Sequence, residues 1–264
     1  HVRSRRQRQM CIRDRYVPPC GTACPAGTDV QGYIALAGAG RYEDAYRLIR
    51  QSNPFPSVCG RICNHPCQAA CNRNDLDESV GIRDIKRFVA DKAFENGMPV
   101  VEKKRKSNGK KIAVIGAGPS GLSCAYYLQL SGYSVEVFES ESVAGGVLAY
   151  GIPEYRLPKA VLNRDIQAIE ATGVQIHLNT TVGEDVSFDE LYKKFHAVYV
   201  STGTQLSRKA NIPGEDMPGV YHGLDFLKAV NLGKPVEIGK KVAVIGGGNT
   251  AIDAARTARR LGAE

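Results

Sequence analysis

No stretch of this 264-residue chain approaches the ~18 consecutive apolar residues that a membrane helix needs. No short apolar segment behind a basic flank marks an export signal either. These absences leave the cytoplasm as the expected compartment and give no reason to expect a membrane partner. The C-x2-C knuckles of structural zinc are missing too. Residues 111–264 hold a single cysteine, Cys124, so that half of the chain has no dithiol. His177, His196 and His222 belong to no constellation of acid, base and nucleophile, and no catalytic side chain is nominated.

Positive charge is present but local. Six arginines and one aspartate in residues 1–15 account for five of the eight net positive charges. This stretch has no helical or strand period, and Met10–Arg15 looks like a translated DNA-library adapter. Residues 1–15 are therefore expected to be an artefactual or disordered tail, and the charge is no argument for a nucleic-acid partner.

Six of the eight cysteines fall between residues 20 and 71. Cys20 and Cys24 are spaced C-x3-C with a proline after the second, and Cys59, Cys63, Cys67 and Cys71 recur every fourth residue. Without an export signal, such clustering favours metal over disulfides. Soft thiolates in closely spaced runs favour an iron–sulfur centre. Zinc and a metal-free cysteine stripe on one helix remain as alternatives, though Asn64–Pro66 would break such a helix. Cys124 reads as a small core residue.

Around the cysteines, residues 16–100 predict a small all-α domain. Pro18–Gly27 reads as a loop. Helices are expected from Thr28 or Asp29 to Gly38, over Tyr42–Gln51, and over Ser79–Glu95, the last with Ile82, Ile85, Phe88 and Val89 on one face. So small a unit buries little apolar surface and is expected to need an inorganic staple. Residues 101–110 read as a charged, solvated linker.

Lys111–Glu139 then combines an apolar strand, a glycine loop, a helix and a second strand. Gly116, Gly118 and Gly121 stand in G-x-G-x-x-G spacing, with Pro119 and Ser120 opening the helix. The first glycine permits a tight turn, the second the approach of a pyrophosphate, and the third close helix packing. The helix N-terminus offers N–H groups to the phosphates. Glu139 lies ~20 residues on, where an acid meets ribose hydroxyls. Downstream, the expected elements are a helix from Pro158 to Ala171, a strand over Val174–Leu178, a helix over Phe188–Phe195, a strand over Ala197–Thr202 and a helix over Gly223–Asn231. Gly145–Gly146 and Thr202–Gly203 allow backbone to meet a ligand. Lys241–Ile245 is expected to repeat the strand, followed by Gly246, Gly248 and Ala251 in G-x-G-x-x-A spacing. Two nucleotide units in one chain imply two dinucleotides. The chain stops after this second helix and reads as a fragment.

With these motifs in view, the chain resembles the family of the NADPH-dependent glutamate synthase small (beta) subunit and its relatives, including the amino-terminal part of dihydropyrimidine dehydrogenase. CGRICNHPCQAAC and GGVLAYGIPEYRLP carry the resemblance, which covers Pro18–Glu264. It implies an α/β protein in which a small all-α iron–sulfur domain precedes Rossmann-like, adrenodoxin-reductase-like dinucleotide-binding domains, here incomplete. The implied FAD-binding domain is 111–238 and the start of the NAD(P)H-binding domain 239–264. Gly116, Gly118, Pro119, Ser120, Gly121 and Glu139 would meet FAD. Gly145, Gly146, Val147 and Arg156 would lie along the flavin side, with Thr202 and Gly203 nearby and Val182 at the adenine end. Gly246, Gly247, Gly248, Asn249 and Thr250 would hold NAD(P)H, with NADPH favoured. Cys20, Cys24, Cys59, Cys63, Cys67 and Cys71 would hold one or two 4Fe-4S clusters. Some relatives take a ligand from the helix after the last cysteine, where Lys86 stands, and a charged lysine has no lone pair to give. The implied function is an FAD-dependent NAD(P)H oxidoreductase passing electrons to a partner subunit or domain, such as a glutamate synthase large subunit. Two rivals are a flavin disulfide reductase, which lacks its cysteine pair here, and a non-catalytic iron–sulfur adaptor.

Overall fold

The structure is a computed structural model and describes residues 18–97, 104–209 and 211–264. The expected tail at 1–15 lies outside these residues. The chain divides into two compact units, His1–Val100 and Val101–Glu264.

The first unit is helical: α1 Pro19–Thr22, α2 Val30–Gly38, α3 Tyr42–Arg50, α4 Pro56–Ile62, α5 Pro66–Ala69 and α6 Ile82–Glu95. Asp29 starts α2, its Oδ1 accepting the Gly32 N–H at 2.9 Å. α4 and α5 each open on a proline at the position where a missing N–H costs nothing. The break between them falls at Asn64–Pro66, as the sequence requires. The core joins α2, α3 and α6 through Val30, Tyr33, Tyr46, Ile49, Ile82 and Val89, with Cys67 among them. α4 crosses α6 closely, because a Cβ on Gly60 would lie 2.8 Å from Arg87 Cα. Arg61 fastens the crossing with two bonds to Asp91, 2.8 and 3.0 Å.

Two sequence expectations change here. The stretch read as a loop at Pro18–Gly27 contains α1, which Pro19 nucleates by fixing its φ. Phe88 does not face the core. It is exposed, edge-on to Tyr42 at 5.3 Å, because the buried stripe of α6 runs through Ile82, Lys86, Val89, Ala90 and Ala93 instead.

The second unit is built on four parallel strands, β1 Lys111–Ile115, β2 Ser134–Phe138, β3 Gln175–His177 and β4 Ala197–Val200, in the order β3-β2-β1-β4. Its helices are α7 Pro119–Leu130, α8 Val147–Tyr150, α9 Lys159–Glu170, α10 Phe188–Lys194, α11 Gly223–Asn231 and α12 Asn249–Arg260. Side chains alternate across β1. Ala113 and Ile115 pack with Phe138 against Leu191 and Phe195 at α10. Val114 points the other way, toward the start of α7. Burial on both faces explains the continuous apolar runs of these strands. α11 and α12 share a smaller core of Phe226, Leu227, Ala254 and Ala258. Among the described residues no helix is long and apolar enough to cross a membrane.

Here too the structure departs from the sequence reading. The stretch before β1 is tied down rather than merely solvated, with the Arg105 N–H on Leu130 O at 2.9 Å and the Asn108 N–H on Gly132 O at 3.0 Å. Lys241–Ile245 forms no strand. A strand exists only against a neighbour, and among the described residues none pairs with this one, leaving Val242, Val244 and Ile245 exposed.

Candidate functional site

The glycine loop of the second unit has a separate physical reason at each glycine. Gly116 turns the chain at φ +100°, and a Cβ there would lie 2.5 Å from Ser201 O. A Cβ on Gly121 would lie 2.0 Å from Gly116 O, so only glycine lets α7 sit this close to the loop. Gly118 has nothing within 4 Å of such a Cβ and caps α7 without a side-chain hydrogen bond. The loop thus leaves open space, free amide donors and the positive end of a twelve-residue helix at one point.

Other expected cofactor residues converge on that point from the C-terminal ends of the strands. Gly145 N–H donates to Ala117 O at 2.8 Å. A Cβ on Gly146 would lie 3.0 Å from Gly118 Cα, which places the start of α8 against the loop. Thr202 follows β4 directly over Gly116. Glu139, buried at the end of β2, accepts the Ala117 N–H on Oε2 at 2.7 Å and the Glu141 N–H on Oε1 at 2.9 Å. Its carboxylate therefore locks the loop from the position where a ribose would lie. The crevice at strand C-termini is where open α/β sheets bind nucleotides. Val182 stands apart, bridged to Val186 and packed toward the β1–α10 core.

Arg156 is turned to a different partner. It donates to Asp253 Oδ2 on α12, while the Tyr155 hydroxyl donates to Asp253 Oδ1 at 3.1 Å. The Arg256 and Arg260 guanidiniums lie 4.2 and 4.0 Å from the Tyr155 ring centroid. Burial, then the Asp253 charge, pushes the Tyr155 hydroxyl up. This latch holds α12, whose N-terminus carries the second glycine loop. There Gly246 turns at φ +124°, while Gly247 and Gly248 face open space and no side chain caps the helix. Thr250 packs beside Gly223 at the start of α11. Asp253 went unnoticed in the sequence. Its signal was a carboxylate on the same helical face as Ala254, Thr257 and Ala258.

In the first unit, four thiols act on Tyr33. The Tyr33 hydroxyl donates to Ile82 O at 3.1 Å, and its pKa is driven up by burial and then by the charges of Cys67, Cys24, Cys20 and Cys63. Cys20 is raised by burial, with Cys71 adding to it. Cys67 is raised by burial and by Cys24 and Cys63, against Lys86. Burial also works to raise Cys24, but hydrogen bonds from Thr28 and Ala26 and the charge of Lys86 outweigh it, so its thiol is held down. Cys59 stands on α4 and points toward Asn53 Oδ1 at 3.8 Å. Among the described residues no three of His, Cys, Asp and Glu gather tightly enough for one metal ion. A looser cage of soft, half-buried thiols suits a polynuclear iron–sulfur group better than a single tetrahedral zinc. Cys124 lies half-buried on α7, where burial raises its thiol. His177 pairs with Glu136 at 3.1 Å, and His196 Nδ1 accepts the Lys111 N–H at 3.1 Å, both structural roles.

Comparison with known proteins agrees with both halves. Residues 3–98 match the family described as dihydropyrimidine dehydrogenase domain II, 4Fe-4S cluster. Residues 110–264 match the family described as pyridine nucleotide-disulphide oxidoreductase. The chain is 44% identical over 257 residues to the NADPH-Fe(3+) oxidoreductase subunit beta of Geobacter sulfurreducens, covering 95% of this chain and 38% of that subunit. It is 38% identical over 260 residues to the glutamate synthase [NADPH] small chain of Escherichia coli, covering 94% of this chain and 55% of that one. Among solved structures, Mycobacterium tuberculosis FprA in complex with NADPH aligns at TM-score 0.50 and 30% identity, over 58% of this chain and 36% of FprA. The chain spans well under two thirds of the length of each of these relatives.

Proposed function

The chain belongs to the pyridine nucleotide-disulphide oxidoreductase family, and from that premise we propose that it passes electrons from NADPH through FAD to a 4Fe-4S centre and on to a partner subunit. The observation that carries this reading is the pair of open, uncapped glycine loops in one unit together with the coupled thiols in the other. When bound, the nicotinamide supplies a hydride, the flavin divides its two electrons, and the iron–sulfur centre takes them singly.

The chain's own residues bind and orient. The N–H groups of Gly118, Ser120 and Gly121 at the start of α7 receive the FAD pyrophosphate, with Pro119 opening the helix, Glu139 directed to the ribose and Gly145, Gly146, Val147, Thr202 and Gly203 lining the same crevice. Gly246–Thr250 receive the NADPH phosphates, on a helix that Arg156, Tyr155 and Asp253 fix in place. Cys20, Cys24, Cys59, Cys63, Cys67 and Cys71 supply the thiolates within residues 16–100. Residues 111–238 then serve FAD, and 239–264 begin the NADPH domain. The disulphide chemistry in the family's name needs a cysteine pair beside the flavin, and residues 111–264 contain only Cys124. The names of the relatives, a beta subunit and a small chain of NADPH enzymes, support NADPH as donor and a second subunit as acceptor. A glutamate synthase large subunit is one candidate.

The reading is tested by purifying the chain without oxygen, supplying FAD, and measuring flavin, iron and acid-labile sulfide. Iron and sulfide in equal amounts alongside flavin support it. Flavin binding with no iron or sulfide would overturn the electron path.

A further inference from the structure

Lys86 lies on the core face of α6 between Ile82 and Val89 and is only 8% exposed. Its ammonium sits 5.7 Å from the centre of the Tyr33 ring. Among the described residues no carboxylate lies in ion-pair range of it. A buried ammonium without a counter-anion is costly, and an aromatic face repays only part of that cost. The same helix reaches the cysteine segment: Arg83, three residues before Lys86, donates from its guanidinium to Cys63 O at 3.4 Å and from its backbone N–H to Gln68 Oε1 at 3.0 Å, and Cys67 shares the buried core of Tyr33, Ile82 and Val89. Lys86 is therefore buried in the core that Cys67 enters, where the thiolates of a bound centre are the anions within its unit that it could answer. An ammonium donates protons only and cannot complete the ligand set itself.

We propose that Lys86 is a positioning residue whose positive charge raises the reduction potential of the 4Fe-4S centre whose ligands include Cys63 and Cys67. The inference rests on the iron–sulfur reading given above. Acceptance of one electron adds one negative charge at the sulfurs, with no bond formed and no proton moved. The attraction of a positive side chain is stronger for the reduced form. In a buried site that attraction is weakly screened, and net charge and burial are known levers on cluster potential. Lys86 thus biases electron flow toward this centre.

The test is the full chain and its Lys86→Met, Lys86→Gln and Lys86→Arg variants, reconstituted without oxygen. Iron and sulfide are measured, and the midpoint is followed by potentiometric EPR. The expected result is wild-type iron in all four proteins. The midpoint of Lys86→Met and Lys86→Gln falls by a tenfold or greater change in the equilibrium constant, 59 mV for one electron, and Lys86→Arg restores it. An unchanged midpoint in a fully loaded neutral variant would overturn the proposal. So would loss of iron from both neutral variants, which would make Lys86 a structural residue. A wild-type chain without iron or sulfide contradicts the iron–sulfur reading itself, a failure visible before any variant is compared.

Discussion

Replacing Gly121 with alanine adds one methyl group where the structure leaves no room. The new carbon would stand 2.0 Å from Gly116 O, 2.7 Å from Ser201 Oγ and 3.1 Å from Val114 Cγ1. Gly116 cannot retreat, because it is backed by Ser201 O and its carbonyl already accepts the Ser201 hydroxyl at 3.2 Å. Val114 is fully buried in β1. The helix must move instead, carrying Leu122, Ala125 and Tyr126 away from the sheet. Overpacking of this kind costs about 1–3 kcal/mol, and a 2.0 Å approach to a backbone oxygen places it near the top of that range. Alanine recovers about 1 kcal/mol through helix propensity. The net loss is then about 2 kcal/mol in the stability of the α/β unit. Gly118→Ala is the companion variant. Its methyl meets nothing in the protein, and an N-cap alanine costs about 1 kcal/mol or less relative to glycine. The same methyl would occupy the space assigned to the pyrophosphate, so FAD affinity falls at least tenfold with little change in stability. Urea unfolding followed by far-UV circular dichroism, with FAD titration of each variant, separates the two effects. Wild-type stability in Gly121→Ala would refute the packing argument, and wild-type FAD affinity in Gly118→Ala would refute the placement of the phosphate.

Two further outcomes are expected. Cys24→Ser, in the coupled thiol set, loses most of its iron and sulfide on anaerobic reconstitution, whereas Cys124→Ser keeps them; equal iron in both would show that Cys24 is no ligand. Asp253→Ala removes the anchor of α12. Breaking a buried pair costs about 3–5 kcal/mol, but Arg156 is 29% exposed and can rehydrate, so about 1–3 kcal/mol is expected. Amide hydrogen exchange should rise across residues 249–260, and unchanged protection there would show that the latch carries no weight.

What could be read from the sequence was what local chemistry decides. Pro66 and Asn64 break the cysteine segment because proline cannot continue a helix. Asp29 starts α2 because its side chain replaces a missing carbonyl. Gly116, Gly118 and Gly121 are legible because each answers a steric demand within a few residues. The rest depends on partners distant in sequence. Lys241–Ile245 has the composition of a strand, but pairing is a property of two segments. Nothing near Arg156 in the sequence announces that Asp253, 97 residues away, accepts its guanidinium. Lys86 stands where some relatives place a ligand, and only the packed helices show that it is buried over the ring of Tyr33.

The central claim is that electrons cross from NADPH to the thiol-held centre by way of FAD. The most direct measurement is EPR of the anaerobically reconstituted chain, frozen after NADPH is added with or without FAD, with dithionite as the reference for full reduction. A reduced-cluster signal from NADPH that requires FAD is expected. A signal with dithionite but none with NADPH and FAD together would contradict that claim.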